Sequence, residues 1–206
     1  MDLPAEARKI GVFGGTFDPP HVAHLILASE AQYQLGLDLI LWVLTPNPPH
    51  KGGKSNGSLE DRLDLVNAAI TGNKAFKLSR VEIDRPGPHY AADTMHLLAK
   101  QYPYAELFYL MGGDSLRDLP SWDRPNVFLA SCHGLGVMRR PGDNIDLAAL
   151  ECQLPGITQK VTFVEASLLD ISASLIRDAI RQGKPFRYFV PEAVNKLILE
   201  RRMYKS

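Results

Sequence analysis

Short continuous apolar runs alternate along this chain with longer segments of mixed character, the pattern of a parallel sheet whose strands are joined by crossover helices. Leu39–Leu44 is apolar at every position, as expected of a central strand buried on both faces. Residues 9–13 read as the first strand, 106–111 as another central strand, and Phe76–Ser79 as an outer one. Residues 135–138 and Val161–Val164 are shorter strands. Helices are expected over Val22–Leu35, Leu59–Ile70, Ala91–Gln101, about 145–152, 173–182 and 191–202. In the first of them Val22, Leu25 and Ile26 mark the apolar side. Residues 45–58 are turn-rich, and no internal repeat or low-complexity segment interrupts the alternation. The pattern predicts one α/β domain over residues 1–206, with a small helical portion from about residue 166.

The polar groups able to carry chemistry fall just after strand ends, at residues 14–24, 45–51 and 112–122. In open α/β sheets ligands bind outside the carboxyl ends of the strands. Three separately read segments therefore point to one rim.

Charge and cysteine content narrow the classes. Lys and Arg total 23 and Asp and Glu total 23, so the chain lacks the basic surplus of a protein built to coat nucleic acid. A local basic pocket for a small polyphosphate remains compatible with that balance. Cys132 and Cys152 have neither metal-ligand nor redox spacing, which predicts a reduced, cytoplasmic setting. The first residues, Met1-Asp2-Leu3-Pro4-Ala5-Glu6, lack the order of a signal peptide. No apolar run approaches the ~20 residues that span a bilayer. Small-molecule partners are expected, with no nucleic acid and no membrane; self-association is left open.

The richest segment runs from Gly11 to His24. Its apolar start leads into Gly14-Gly15, then Thr16-Phe17-Asp18-Pro19-Pro20-His21-Val22-Ala23-His24. This predicts a strand, a tight turn of bare backbone at the glycines, and a helix whose first turn tolerates proline. His21 and His24, three apart, would share one face near the positive end of that helix. Glycine backbone, free N–H groups and imidazole donors converging on one point describe a phosphate site. Two surface histidines or half of a metal site would be the plainer account of a bare His-x-x-His; the upstream strand and glycines tilt the balance to phosphate. Two other nucleotide grips are excluded. Gly52-Gly53-Lys54-Ser55 ends like a P-loop, but Pro48 stands where the first loop glycine belongs and no strand leads directly into it. The first glycine turn is not Gly-x-Gly-x-x-Gly either.

The segment Gly15 to His24 resembles the His-x-Gly-His signature of the nucleotidylyltransferase superfamily, most closely its nicotinate mononucleotide adenylyltransferase branch, with Ala23 in the usual glycine position. The similarity continues along nearly the whole chain. Pro48-Pro49-His50-Lys51 resembles a family element that lies over the active site. Residues 85–94 resemble a segment whose backbone helps hold the nicotinate carboxylate; Tyr90, Asp93 and Thr94 match, while His89 and Ala91 replace hydroxyl residues. Gly112-Gly113-Asp114-Ser115 through Trp122 resembles a third block, and Ile171-Ser172-Ala173-Ser174-Leu175-Ile176-Arg177 a fourth, with Ala173 and Ser174 as its changes.

The resemblance implies a Rossmann-like nucleotidylyltransferase fold, a mostly parallel sheet flanked by helices. It implies adenylyl transfer from ATP to nicotinate mononucleotide, with Mg²⁺ carried in on the triphosphate. His21, His24, Lys51 and Arg177 are then the catalytic set. Gly14, Gly15, Phe17, Asp114, Ser172 and Ser174 join the two histidines and Arg177 around ATP. Thr16, His50, Lys51, Tyr90, Ala91, Asp93 and Trp122 face the mononucleotide, Trp122 against the pyridine ring. Ser172 doubles as the N-cap of its helix. Two alternatives stay open at this point: transfer to nicotinamide mononucleotide or phosphopantetheine, and a module that binds ATP without turning it over.

Overall fold

The structure, a computed structural model, describes residues 8–47, 55–138, 145–167 and 169–205. Six strands form one sheet: β1 (Lys9–Gly15), β2 (Leu39–Leu44), β3 (Phe76–Ser79), β4 (Glu106–Gly112), β5 (Gly134–Met138) and β6 (Val161–Val164). Their order is β3-β2-β1-β4-β5-β6 and every pairing is parallel, so the sheet is wholly rather than mostly parallel. Val22–Leu35 (α1), Leu59–Ile70 (α2) and Ala91–Gln101 (α3) link the first four strands. Gly113–Asp118 (α4) and Pro125–Ala130 (α5) lie between β4 and β5, and Leu147–Gln153 (α6) and Ile157–Lys160 (α7) between β5 and β6. Ala173–Arg181 (α8) and Glu192–Glu200 (α9) follow.

Strand periodicity divides the core in two. Ile40, Trp42 and Leu44 of β2 enter one apolar cluster with residues of α1, α2, α8 and α9. Leu39, Leu41 and Val43, pointing the other way, enter a second cluster with residues of α3 through α7. Both sheet faces are therefore covered, which is why β2 carries no polar residue and Trp42 is wholly buried. The helical portion beyond residue 166 shares this core, since Ile176, Val194 and Ile198 belong to the first cluster.

Most strand and helix bounds match the sequence expectation; three points differ. β1 runs on through Gly14 and Gly15, which pair with Val43 and Leu44. The buried stripe of α1 is Ala28, Ala31 and Leu35, and of the expected Val22, Leu25 and Ile26 only Leu25 is among the residues packed against that core. Small residues there let α1 lie close to the sheet, and Ile26 lines a cleft instead. The block after β4 folds into α4, a 3₁₀ turn over Leu119–Ser121, and α5. No helix among the described residues is long and apolar enough to cross a membrane.

Candidate active site

The crossovers leaving β1 and β4, which are neighbours in the sheet, run to opposite faces. Their carboxyl ends therefore part, and a crevice opens between them, as this strand order dictates. It holds a cleft of about 1040 Å³, above the usual ~300–1,000 Å³ of a small-ligand pocket. Its walls include the turn after β1, the start of α1, the lead into α3, the end of β4 with Trp122, and the lead into α8 with Arg177.

At the β1 end the glycines do a different task from the one their sequence suggests. Gly14 and Gly15 are extended strand residues, and the Gly15 carbonyl accepts from the Thr45 N–H at 3.0 Å. The left-handed residue of the turn is Phe17, at φ 46°. Glycine is needed for room. A Cβ at Gly15 would lie 2.8 Å from the Phe17 ring, and one at Gly14 would lie 3.0 Å from the Tyr109 hydroxyl oxygen. An aromatic held at positive φ persists only where its surroundings fix it. Phe17 is buried, its ring packed against Phe13, Trp42 and His24 at centroid distances of 5.5, 5.0 and 5.2 Å.

A buried guanidinium fixes the same turn from behind. Arg62 of α2, 1% exposed, donates to the carbonyls of Thr16 at 3.2 Å, Thr45 at 2.8 Å and Pro46 at 2.7 Å. It thus ties the loop after β1 to the loop after β2. Nothing in the sequence pattern singled it out, because an arginine within an amphipathic helix ordinarily reads as surface.

Pro19 and Pro20 precede α1 rather than occupying its first turn, which corrects the sequence expectation; the N-cap is His21. His24 is the third helical residue. The His21 backbone N–H donates to Nδ1 of His24 at 3.2 Å, and the two rings stack with centroids 3.6 Å apart. With that lone pair occupied, the neutral ring of His24 carries its proton on Nε2, as a donor. His21 is buried, and loss of hydration lowers its pKa to about 4. Both residues line the cleft, and His21 does so uncharged at neutral pH.

The opposite wall comes from α8. Ser172 caps it, accepting from the Leu175 N–H at 3.2 Å, with its hydroxyl 3.0 Å from that of Ser174. Arg177, one turn in, donates from Nη1 to the Asp18 carbonyl at 2.7 Å. Ser172, Ser174 and Arg177 line the cleft that His21 and His24 line, although about 150 residues separate the two groups in sequence.

At the other end of the cleft Tyr90 is the N-cap of α3 and Ala91 its first residue; both line the wall with His89 and Trp122. Trp122 is part core and part wall, edge-on to Phe128 at 5.3 Å and to Tyr109 at 6.1 Å. Behind them Glu82 is buried and accepts from the Thr94 hydroxyl at 2.6 Å. Burial pushes its pKa up, while the Thr94 and Thr45 hydroxyls and the Arg85 cation pull it back. Glu82, Tyr109, Ser115, Ala166, Ser167 and Leu169 line the cleft without having been expected to. Only nearness in sequence to the serine motif could have signalled the last three.

Two expected contacts lie elsewhere. Asp93 pairs with Arg124 at 2.8 Å, and Asp114 pairs with Arg117 at 2.8 Å on the exposed face of α4; neither lines the cleft. After β4 the chain turns straight into α4, so the side chain following Gly113 points outward and Ser115 points in. His50 and Lys51 lie outside the described residues.

The chain is similar to several known proteins. The profile of a cytidylyltransferase-like family matches residues 12–179. Nicotinate-nucleotide adenylyltransferase of Bacillus subtilis is 37% identical over 199 residues, covering 97% of this chain and all of that protein. A Thermomicrobium roseum protein named probable nicotinate-nucleotide adenylyltransferase is 40% identical over 198 residues, 96% of this chain and 92% of its own. Among solved structures, Plasmodium falciparum nicotinic acid mononucleotide adenylyltransferase complexed with NaAD superposes with a TM-score of 0.79 at 18% identity. That match covers 96% of this chain and 97% of the other, and it shows the same fold.

Proposed function

We infer the activity from membership: the chain belongs to the cytidylyltransferase-like family and, within it, to the nicotinate-nucleotide adenylyltransferases. It is a nucleotidyltransferase that moves the adenylyl group of ATP to nicotinate mononucleotide, giving nicotinate adenine dinucleotide and pyrophosphate, a step of NAD synthesis. The observation that carries this for the chain itself is the shared cleft, where imidazoles from the start of α1 face a guanidinium from α8.

The 5′-phosphate of the mononucleotide attacks the α-phosphorus of ATP, one P–O bond forms, and the bond to pyrophosphate breaks. No proton need move and no protein nucleophile is required. The protein's task is to align two anions and to offset their repulsion and the charge that develops between them. His24 donates from Nε2 to the reacting phosphate, held in that tautomer by the His21 N–H. His21, kept neutral, packs beneath it without a second positive charge. Arg177, oriented by the Asp18 carbonyl, meets the triphosphate from the far side, with Ser172 and Ser174 beside it. Gly14 and Gly15 at the end of β1, with Thr16 and Phe17 in the turn that follows, form the side that the phosphates approach, and His50 and Lys51 serve the mononucleotide phosphate. Tyr90 and Ala91 present backbone N–H groups to the nicotinate carboxylate, and Trp122 packs on the pyridine.

Among the described residues no three carboxylate, imidazole or thiol groups gather as a metal cage. That donor set suits a Mg²⁺ ion held chiefly by phosphate oxygens, which needs few protein ligands. When bound, the ion supplies charge neutralisation between phosphate oxygens. We place the reaction in the cytoplasm.

The test is pyrophosphate release from ATP and Mg²⁺ with nicotinate mononucleotide, nicotinamide mononucleotide or phosphopantetheine as acceptor. Release is fastest with nicotinate mononucleotide. ATP binding without release for any acceptor would identify a binding module instead.

A further inference from the structure

Asp18 sits within the motif that forms the phosphate turn, and its carboxylate is bonded within the protein. It is 4% exposed, and its oxygens accept from the Asn56 N–H at 2.7 Å, the Gly57 N–H at 3.1 Å and the Tyr204 hydroxyl at 2.8 Å. Its own carbonyl holds Arg177. One residue thus joins the turn after β1, the segment entering α2, helix α8, and the stretch of chain that follows α9.

Tyr204 is the remote member, 186 residues from Asp18. Its ring lies in the core cluster beside Met203 and it does not line the cleft. Its backbone is left-handed at φ 63°, a conformation that a tyrosine keeps only when its surroundings hold it. Gly57 is shaped to the same contact. A Cβ there would meet Asp18 Oδ1 at 2.9 Å and the Tyr204 hydroxyl oxygen at 3.4 Å. Asn56, on the near side of this junction, lines the cleft.

We propose that Tyr204 is a positioning residue for adenylyl transfer, its phenol fixing the Asp18 carboxylate and, through it, the Asn56–Gly57 backbone behind the cleft-lining Asn56 and the Arg177 guanidinium. The kinetic part rests on the adenylyltransferase function given above; the structural part does not. Neither Asp18 nor Tyr204 has to touch a phosphate for this. The phenol is one of four donors to the carboxylate, beside the two backbone amides and the Asn56 side-chain amide at 3.5 Å. It is the one donor of the four from outside the Asn56–Gly57 segment, so without it the carboxylate is held from that segment alone.

Tyr204→Phe keeps the ring and removes only the O–H. Hydrogen exchange at the Asn56 and Gly57 amides rises about tenfold, the scale of one lost hydrogen bond at a buried acceptor, while exchange in β1 and β4 is unchanged. The kcat for pyrophosphate release falls about tenfold while KM for ATP stays within about twofold, again by that measure. Gly57→Ala, which spreads the same cluster without cutting the core, reproduces both effects and keeps the test valid if the phenylalanine variant folds poorly. In an Asp18→Asn background Tyr204→Phe adds little further loss, since the two act as one unit. Unchanged exchange at Asn56 and Gly57 in both variants would overturn the proposal, as would unchanged kcat in both. A wild-type protein that released no pyrophosphate with nicotinate mononucleotide would instead refute the proposed reaction, and the exchange measurement would still decide the role of Tyr204.

Discussion

The rings of His21 and His24 lie stacked, their centroids 3.6 Å apart and their planes 24° from parallel, with the backbone of the first bonded to Nδ1 of the second. This orients the Nε2–H of His24. His24→Ala removes one donor preorganised for the transition state, so kcat should fall by about 10²–10³ with folding intact. Pyrophosphate release and a thermal melt read the two parts. Turnover close to wild type would take His24 out of the chemistry.

His21 carries a pH dependence of stability. Burial lowers its pKa to about 4 from the ordinary 6.5, so the folded chain holds it neutral while the unfolded chain takes a proton sooner. The unfolded state therefore binds more protons between pH 6.5 and about 4. Its stabilising contribution is present in full above pH 6.5 and is lost as pH falls through that window. The loss is about 3 kcal/mol. Urea unfolding of the wild type and of His21→Asn across that range should show the steeper decline in the wild type. Parallel curves would contradict the buried, neutral imidazole.

A substitution at Trp122 tests the two substrates separately. Its ring packs edge-on against Phe128 and Tyr109, and it also forms cleft wall. Trp122→Ala should raise KM for nicotinate mononucleotide about tenfold and leave KM for ATP nearly unchanged, the scale of one aromatic stacking contact. Equal weakening of both substrates would mean that the indole supports the cleft as a whole.

Arg62 bears on folding more than on binding. Its guanidinium serves three backbone carbonyls in two loops, so Arg62→Met leaves buried acceptors without donors while keeping most of the stem's packing. Stability should fall by about 3 kcal/mol or more. Denaturant unfolding measures it, and a loss within experimental error would show that water replaces the guanidinium freely.

The strands and long helices were legible because each obeys a local rule. β2 is apolar throughout since both its faces are covered, and α8 begins where Ser172 can cap it. The placement of His21, His24 and Trp122 on one rim followed from strand ends, a property of parallel sheets, whereas Arg177 was reached only through the motif resemblance. What escaped was set by contacts distant in sequence. The Gly14-Gly15 pair looked like a turn, but its glycines make room for Tyr109 and Phe17, and the left-handed residue is an aromatic. Asp114 and Asp93 have the right residue type in the right block, yet the helix starts at α4 and α3 direct them to Arg117 and Arg124. Arg62 and Tyr204 looked like ordinary helix and tail residues, because their partners lie in other loops.

The span between Asp18 and its two distant partners bears on how the molecule is made. Translation delivers the phosphate turn early, whereas Arg177 and Tyr204 follow 159 and 186 residues later. Strands near the beginning can pair while synthesis continues, but a nascent chain halted before α8 lacks the Arg177 wall of the cleft. The emerging polypeptide therefore reaches its sheet by apolar burial before the cleft is complete. Closure of that cavity waits for the end of the chain.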